Sequence, residues 1–110
     1  METHEWYGAR SIYEVVGSGS EANGTRLFEE RVVLVEASSF DSAIAEAEQE
    51  ALAYAHRDSG FVYLGYINVY KLVDERIKNK TEVYSLMRES VLAPQEYIDR
   101  FFDTGLERTK

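Results

Sequence analysis

The run LFEERVVLVEA (27–37) passes without a break into SSFDSAIAEAEQEALAYAHRDSG (38–60), and the change of period at that junction decides the fold. In the first run Phe28, Glu30, Val32, Leu34 and Glu36 share one side, while Glu29, Arg31, Val33 and Val35 share the other. That is the two-residue alternation of a strand whose centre can be covered on both faces. In the second run Phe40, Ala43, Ile44, Ala47, Ala51 and Ala55 recur at three- and four-residue spacings, one stripe of an α-helix. Ser38 and Asp41 stand at capping-box spacing, and Gly60 after Asp58-Ser59 is placed to end the helix. The alanines favour helix formation and permit close approach to a sheet.

Outward from this unit, WYGARSIYEVV (6–16) reads as a strand, although Gly8 and Arg10 interrupt its alternation. GSGSEANGT (17–25) is a flexible loop that makes a hairpin of the first two strands. Downstream, FVYLGYINVYKLV (61–73) carries the strongest strand signal and reads as a central strand, with Gly65 marking a bulge or a close approach. A polar turn over 74–80 leads to TEVYSLM (81–87), which completes a second hairpin. Pro94 opens a short helix to Phe102 with Tyr97, Ile98, Phe101 and Phe102 on its apolar side, and 104–110 reads as a mobile tail. The expected fold is a single α+β domain over 1–110 with an ordered core of about 5–103. Its order is β-β-α-β-β-α, a mostly antiparallel sheet with a long helix on one face and a short C-terminal helix.

Composition removes several chemistries. The 110 residues include no cysteine, so disulfides, thiolate metal sites and cysteine nucleophiles are excluded. His4 and His56 are the only imidazoles, and no cofactor or metal is expected. The net charge of -8 argues against nucleic acid as a partner, and the one basic cluster, Lys71, Arg76, Lys78 and Lys80, is interrupted by Asp74 and Glu75. Apolar runs are strand-sized, which argues against a membrane span, and the first residues lack a signal-peptide pattern. The expected location is the cytoplasm.

Catalytic readings find little support. Glu29 and Glu30 are neighbours and face opposite sides of a strand, so they do not form a carboxylate pair. Tyr54, His56 and Asp58 are two apart on a helix and point in different directions. Gly17-Ser18-Gly19-Ser20 lacks the spacing of a phosphate loop, and no serine sits in a nucleophile elbow. The most suggestive group is Trp6, Tyr7, Tyr66, Tyr70, Glu82 and Tyr84, an aromatic and acidic set suited to a protein interface or to ordinary sheet packing.

WYGAR, FEERVVLVEASSFDSAIAEAE, GYINVYKLVDE and TEVYSLMRE together resemble a family of small, mostly bacterial uncharacterised domains, a domain of unknown function. The resemblance spans much of 6–89 and implies a small α+β fold with no catalytic residues to carry over. The functional expectation is a nonenzymatic protein-interaction or self-association domain, a homodimer or small homo-oligomer with room for an unidentified protein partner. The alternative is a small-ligand-binding domain or enzyme with a polar-aromatic pocket near Tyr70, Glu82 and Tyr84.

Overall fold

The computed structural model describes residues 4–85 and 87–102. Strands β1 (Glu5–Val15) and β2 (Leu27–Ala37) pair antiparallel along their whole length, from Glu5 opposite Ala37 to Val15 opposite Leu27. The expected hairpin is therefore present, and its connection includes a short 3-10 turn at Ser20–Asn23.

Helix α1 (Phe40–Arg57) follows β2 directly. Its N-cap is Ser39, one residue later than the Ser38 expected from the capping-box spacing. The extended backbone of Ser39 aims its Oγ to accept the Ser42 N–H at 3.1 Å. His56 and Arg57 lie in the last turn, where positive charge complements the helix dipole. Gly60 then turns the chain in the left-handed region, φ 101°, and its carbonyl accepts the Val16 N–H at 2.7 Å. A Cβ at Gly60 would fall 2.7 Å from the Val16 carbonyl oxygen, so the turn needs glycine twice over.

β3 (Phe61–Lys71) lies antiparallel to β1 on the side away from β2, and the sheet order is β2-β1-β3. The most strand-like run in the sequence is thus an edge strand, and β1 holds the centre. The reason is topological. β2 already occupies one side of β1, and α1 crosses the sheet and returns the chain to the other. The expected irregularity at Gly65 is real: Ser11 faces Ile67 and Tyr13 faces Tyr63, leaving Ile12 alone against Leu64, Gly65 and Tyr66. Gly65 takes φ 83° within this bulge.

The expected fourth strand over 81–87 does not form in its described residues, 81–85 and Met87; Leu86 lies outside them. A turn closes between Lys78 and Thr81, where the Thr81 N–H donates to the Lys78 carbonyl at 3.1 Å. The Tyr70 hydroxyl then donates to the Val83 carbonyl at 2.5 Å. This side-chain bond draws the segment toward the face that Tyr70 occupies instead of laying it along the β3 edge. The short C-terminal helix is present as α2 (Pro94–Tyr97), continuing into a π-type turn at Ile98–Phe102. The tail expected over 104–110 lies outside the described residues.

Odd-numbered residues of β1 and β2 face α1. Tyr7, Ala9, Val35 and Ala37 from the sheet pack against Ala43 and Ala47 from the helix, with Val33, Ile67 and Val69 at the margin. Small helix residues let the helix sit close, and large aromatics fill the flanks. Tyr7 meets Phe40 edge-on at 5.0 Å and Tyr13 meets Tyr54 at 5.1 Å.

One polar cluster enters this layer. Arg31 clamps Glu50 of α1 with two bonds of 2.7 and 3.0 Å and donates to the Tyr13 hydroxyl at 3.3 Å. Its guanidinium lies 3.6 Å from the Tyr54 ring centre, while the Tyr54 hydroxyl donates to Glu29 at 2.6 Å. The buried Tyr13 hydroxyl is also bonded to Ser11 Oγ at 2.6 Å. Bonding to the Glu29 carboxylate, reinforced by burial, holds the Tyr54 phenol above its ordinary value.

Candidate interaction surface

The helix covers one side of the sheet, and the even-numbered side chains of β1 and β2 occupy the other. Phe28, Val32 and Leu34 of β2 are exposed there, together with Val62 and Tyr66 of β3. Tyr66 is the extreme, 74 % exposed on the bulge. Arg10 and Glu30 form an ion pair in the middle of this face, across the β1–β2 ladder. The Glu30 bond raises the Arg10 guanidinium further above its ordinary value.

The six aromatic and acidic positions singled out in the sequence divide between the two sides. Tyr7 parts from the rest. Its odd position in β1 turns it under α1, where it is only 2 % exposed and donates to Glu5. Burial, followed by the charge of Glu5, raises its phenol. Trp6, next in the chain, takes the opposite side.

Tyr70, Glu82 and Tyr84 are brought together. They line one cavity of about 220 Å³ with Lys71, Leu72, Val73, Val83 and Ser85. The Tyr70 and Tyr84 rings meet edge-on with centres 5.9 Å apart. Burial, then the neighbouring Tyr84 phenol, pushes the Tyr70 phenol up. Tyr66 stands apart from that trio and lines a smaller recess of about 110 Å³ with Arg10, Ile12, Glu30 and Asn68.

A third cleft, of about 660 Å³, joins the sheet to the C-terminal segment. Arg10 and Glu30 form its floor, and Tyr84, Ser85, Arg88, Tyr97, Phe101 and Phe102 surround it. Arg88 lies 4.3 Å from the Phe101 ring centre and donates to the Tyr97 hydroxyl at 3.0 Å. Arg10, Glu30 and Arg88 were absent from the sequence-based group. The even positions of Arg10 and Glu30 carry a signal, but their pairing depends on strand register. Nothing local marks Arg88.

The remaining candidates stay separated. Glu29 and Glu30 fall on opposite faces, Glu29 toward Tyr54 and Glu30 toward Arg10. Tyr54 reaches the sheet while His56 is exposed at the helix end. Among the described residues, no group of three or more histidine, aspartate or glutamate side chains is placed to hold a metal ion. No described helix is long and apolar enough to cross a membrane.

No curated protein and no solved structure matches the chain. A family model described as "Domain of unknown function (DUF4288)" matches residues 6–85. That range takes in β2, α1, β3 and nearly all of β1, together with the Tyr70–Tyr84 cavity, and leaves Arg88, Tyr97 and Phe101 beyond it. The chain therefore belongs to this family of small uncharacterised bacterial domains.

Proposed function

We propose that this chain is a nonenzymatic protein-interaction domain of the cytoplasm, which binds other protein chains, its own copies included, through the sheet face opposite α1. One observation carries the reading: Phe28, Val32, Leu34, Val62 and Tyr66 all remain exposed on that face, between 39 and 74 %. A sheet face with this much apolar and aromatic surface gains free energy when a second chain covers it. Trp6, Tyr70, Glu82 and Tyr84 extend the same contact surface, with phenols and a carboxylate at its rim to bias partner choice.

Trp6 is the only tryptophan and reports on this face directly. Covering the face with a second copy is expected to shift its emission to the blue as protein concentration rises. The double variant Val62→Glu with Tyr66→Glu should abolish that shift while leaving the circular dichroism unchanged. Constant emission across the concentration series would count against self-association through this face.

The cavity lined by Tyr70, Glu82 and Tyr84 supports a second reading, a small-ligand or catalytic site. Its volume of about 220 Å³ suits only a small polar-aromatic guest. Soaking crystals with fragments of that kind tests it, and a cavity that takes none of them counts against it.

A further inference from the structure

The two edges of the sheet differ in a way that bears on assembly. β3 is interrupted by the bulge at Leu64–Tyr66, a feature that blunts an edge against pairing. β2 carries no such irregularity: its eleven residues pair in unbroken register with β1 and contain neither proline nor glycine. Its outer backbone edge has no strand partner among the described residues.

Two of the four charged residues of β2 are held in ion pairs within the chain, and a third accepts a hydrogen bond. Glu30 is paired with Arg10, Arg31 with Glu50, and Glu29 accepts the Tyr54 hydroxyl. Those contacts reduce the repulsion that would otherwise keep two copies of this strand apart.

Symmetry then selects a register. In an antiparallel pair, directly opposed residues share a face, so a two-fold axis normal to the sheet must pass through a residue position. An axis at Arg31 would oppose two arginines, and one at Val33 would set Glu30 against Glu36 twice. Opposed like charges destabilise a ladder. An axis at Val32 opposes Glu29 to Val35, Glu30 to Leu34 and Arg31 to Val33, with no charge directly facing another. It also pairs the strand over its full length, Leu27 with Ala37 at both ends.

We propose that β2 pairs with β2 of a second copy about a two-fold axis at Val32, joining two three-stranded sheets into one of six strands. The two sheet faces opposite α1 then lie side by side. The pairing uses backbone groups at the sheet edge and does not depend on whether the open face binds a partner.

Because the chain has no cysteine, Val32→Cys introduces a single thiol per copy. Across the proposed axis the two Cα atoms would be about 4.5–5.5 Å apart, within the range a disulfide spans. Leu34→Cys is the control, at similar exposure on the same face. In this register the two control thiols sit four residues apart along the strands, about 14 Å. Under mild oxidation of the folded proteins, Val32→Cys should shift from one-chain to two-chain mass while Leu34→Cys stays at one. Equal trapping of both variants, or trapping of neither, overturns the pairing. The Trp6 emission series tests the open face separately, so either reading can fail alone.

Discussion

Gly8 and Tyr70 face each other across the β1–β3 ladder, and the Tyr70 ring occupies the space that a side chain at position 8 would fill. A Cβ at Gly8 would lie 2.2 Å from Tyr70 Cζ. An aromatic ring laid over a strand glycine covers its bare backbone and fixes the ring's direction. Here that direction delivers the hydroxyl to the Val83 carbonyl and places Tyr70 against Tyr84. The glycine that breaks the alternation of β1 thus helps build the cavity.

Gly8→Ala is expected to displace the ring and lower stability by about 1–3 kcal/mol, the usual cost of overpacking. Tyr70→Phe keeps the ring and loses only the bond to Val83, costing about 0.5–1.5 kcal/mol. Urea denaturation of both variants checks the order. If Gly8→Ala proved as stable as the parent, the ring would not be seated by the glycine.

Removing Arg31 should separate a built-in clamp from a surface ion pair. Arg31→Leu strips Glu50 of two bonds and Tyr13 of one, and is expected to cost about 1–3 kcal/mol. Arg26→Leu breaks the Arg26–Glu14 pair, in which the arginine is 70 % exposed, and should leave the denaturation midpoint nearly unchanged. Chemical denaturation midpoints of the two variants provide the comparison, and similar losses from both would contradict this ranking.

Alkali is expected to destabilise the domain through its tyrosines. Burial, then the charge of Glu48, pushes the Tyr63 phenol up to about 12. An unfolded tyrosine titrates near 10, so between those values the folded chain holds the proton and the unfolded chain releases it. The stabilisation is complete below about pH 10 and is lost as the pH rises toward 12. Tyr63→Phe should therefore flatten the decline of the unfolding midpoint over that window. An unchanged slope would place the alkaline sensitivity elsewhere, with Tyr7, Tyr54 and Tyr70 the next to substitute.

The helix start offers a test at single-residue resolution. Ser39→Ala removes the acceptor for the Ser42 N–H and should cost about 0.5–2 kcal/mol. Ser38→Ala removes no cap and should fall within about 0.5 kcal/mol of the parent. Thermal melts of the two variants settle which serine caps the helix, and the reverse order would restore Ser38.

Much of the local structure was legible in the residues. The alternation over 27–37 and the alanine stripe of α1 lead to the observed strand and helix, and Gly65 does mark a bulge. The fourth strand was misread: TEVYSLM has strand composition, yet among the described residues it leaves the free outer edge of β3 unpaired. The pull of Tyr70 on the Val83 carbonyl sets that segment elsewhere. Of the candidate surface, Trp6, Tyr66, Tyr70, Glu82 and Tyr84 were legible as aromatic and acidic residues near strands. Tyr7 could not be separated from Trp6 until one side of β1 met the helix.

Sequence alone determined the periods, the composition and their consequences: a sheet with one long helix, no thiol chemistry and an acidic surface. These follow from short-range rules, since two- and 3.6-residue repeats and single side chains act without reference to distant parts of the chain. Only the tertiary structure decided that β1 is central, that Arg10 meets Glu30 and Arg31 meets Glu50, and which side of the sheet stays open. Each of those depends on strand order, register and the path of the α1 crossover. They join residues about 20 positions apart or more, and the free energy of such pairings belongs to the assembled layers rather than to any local stretch.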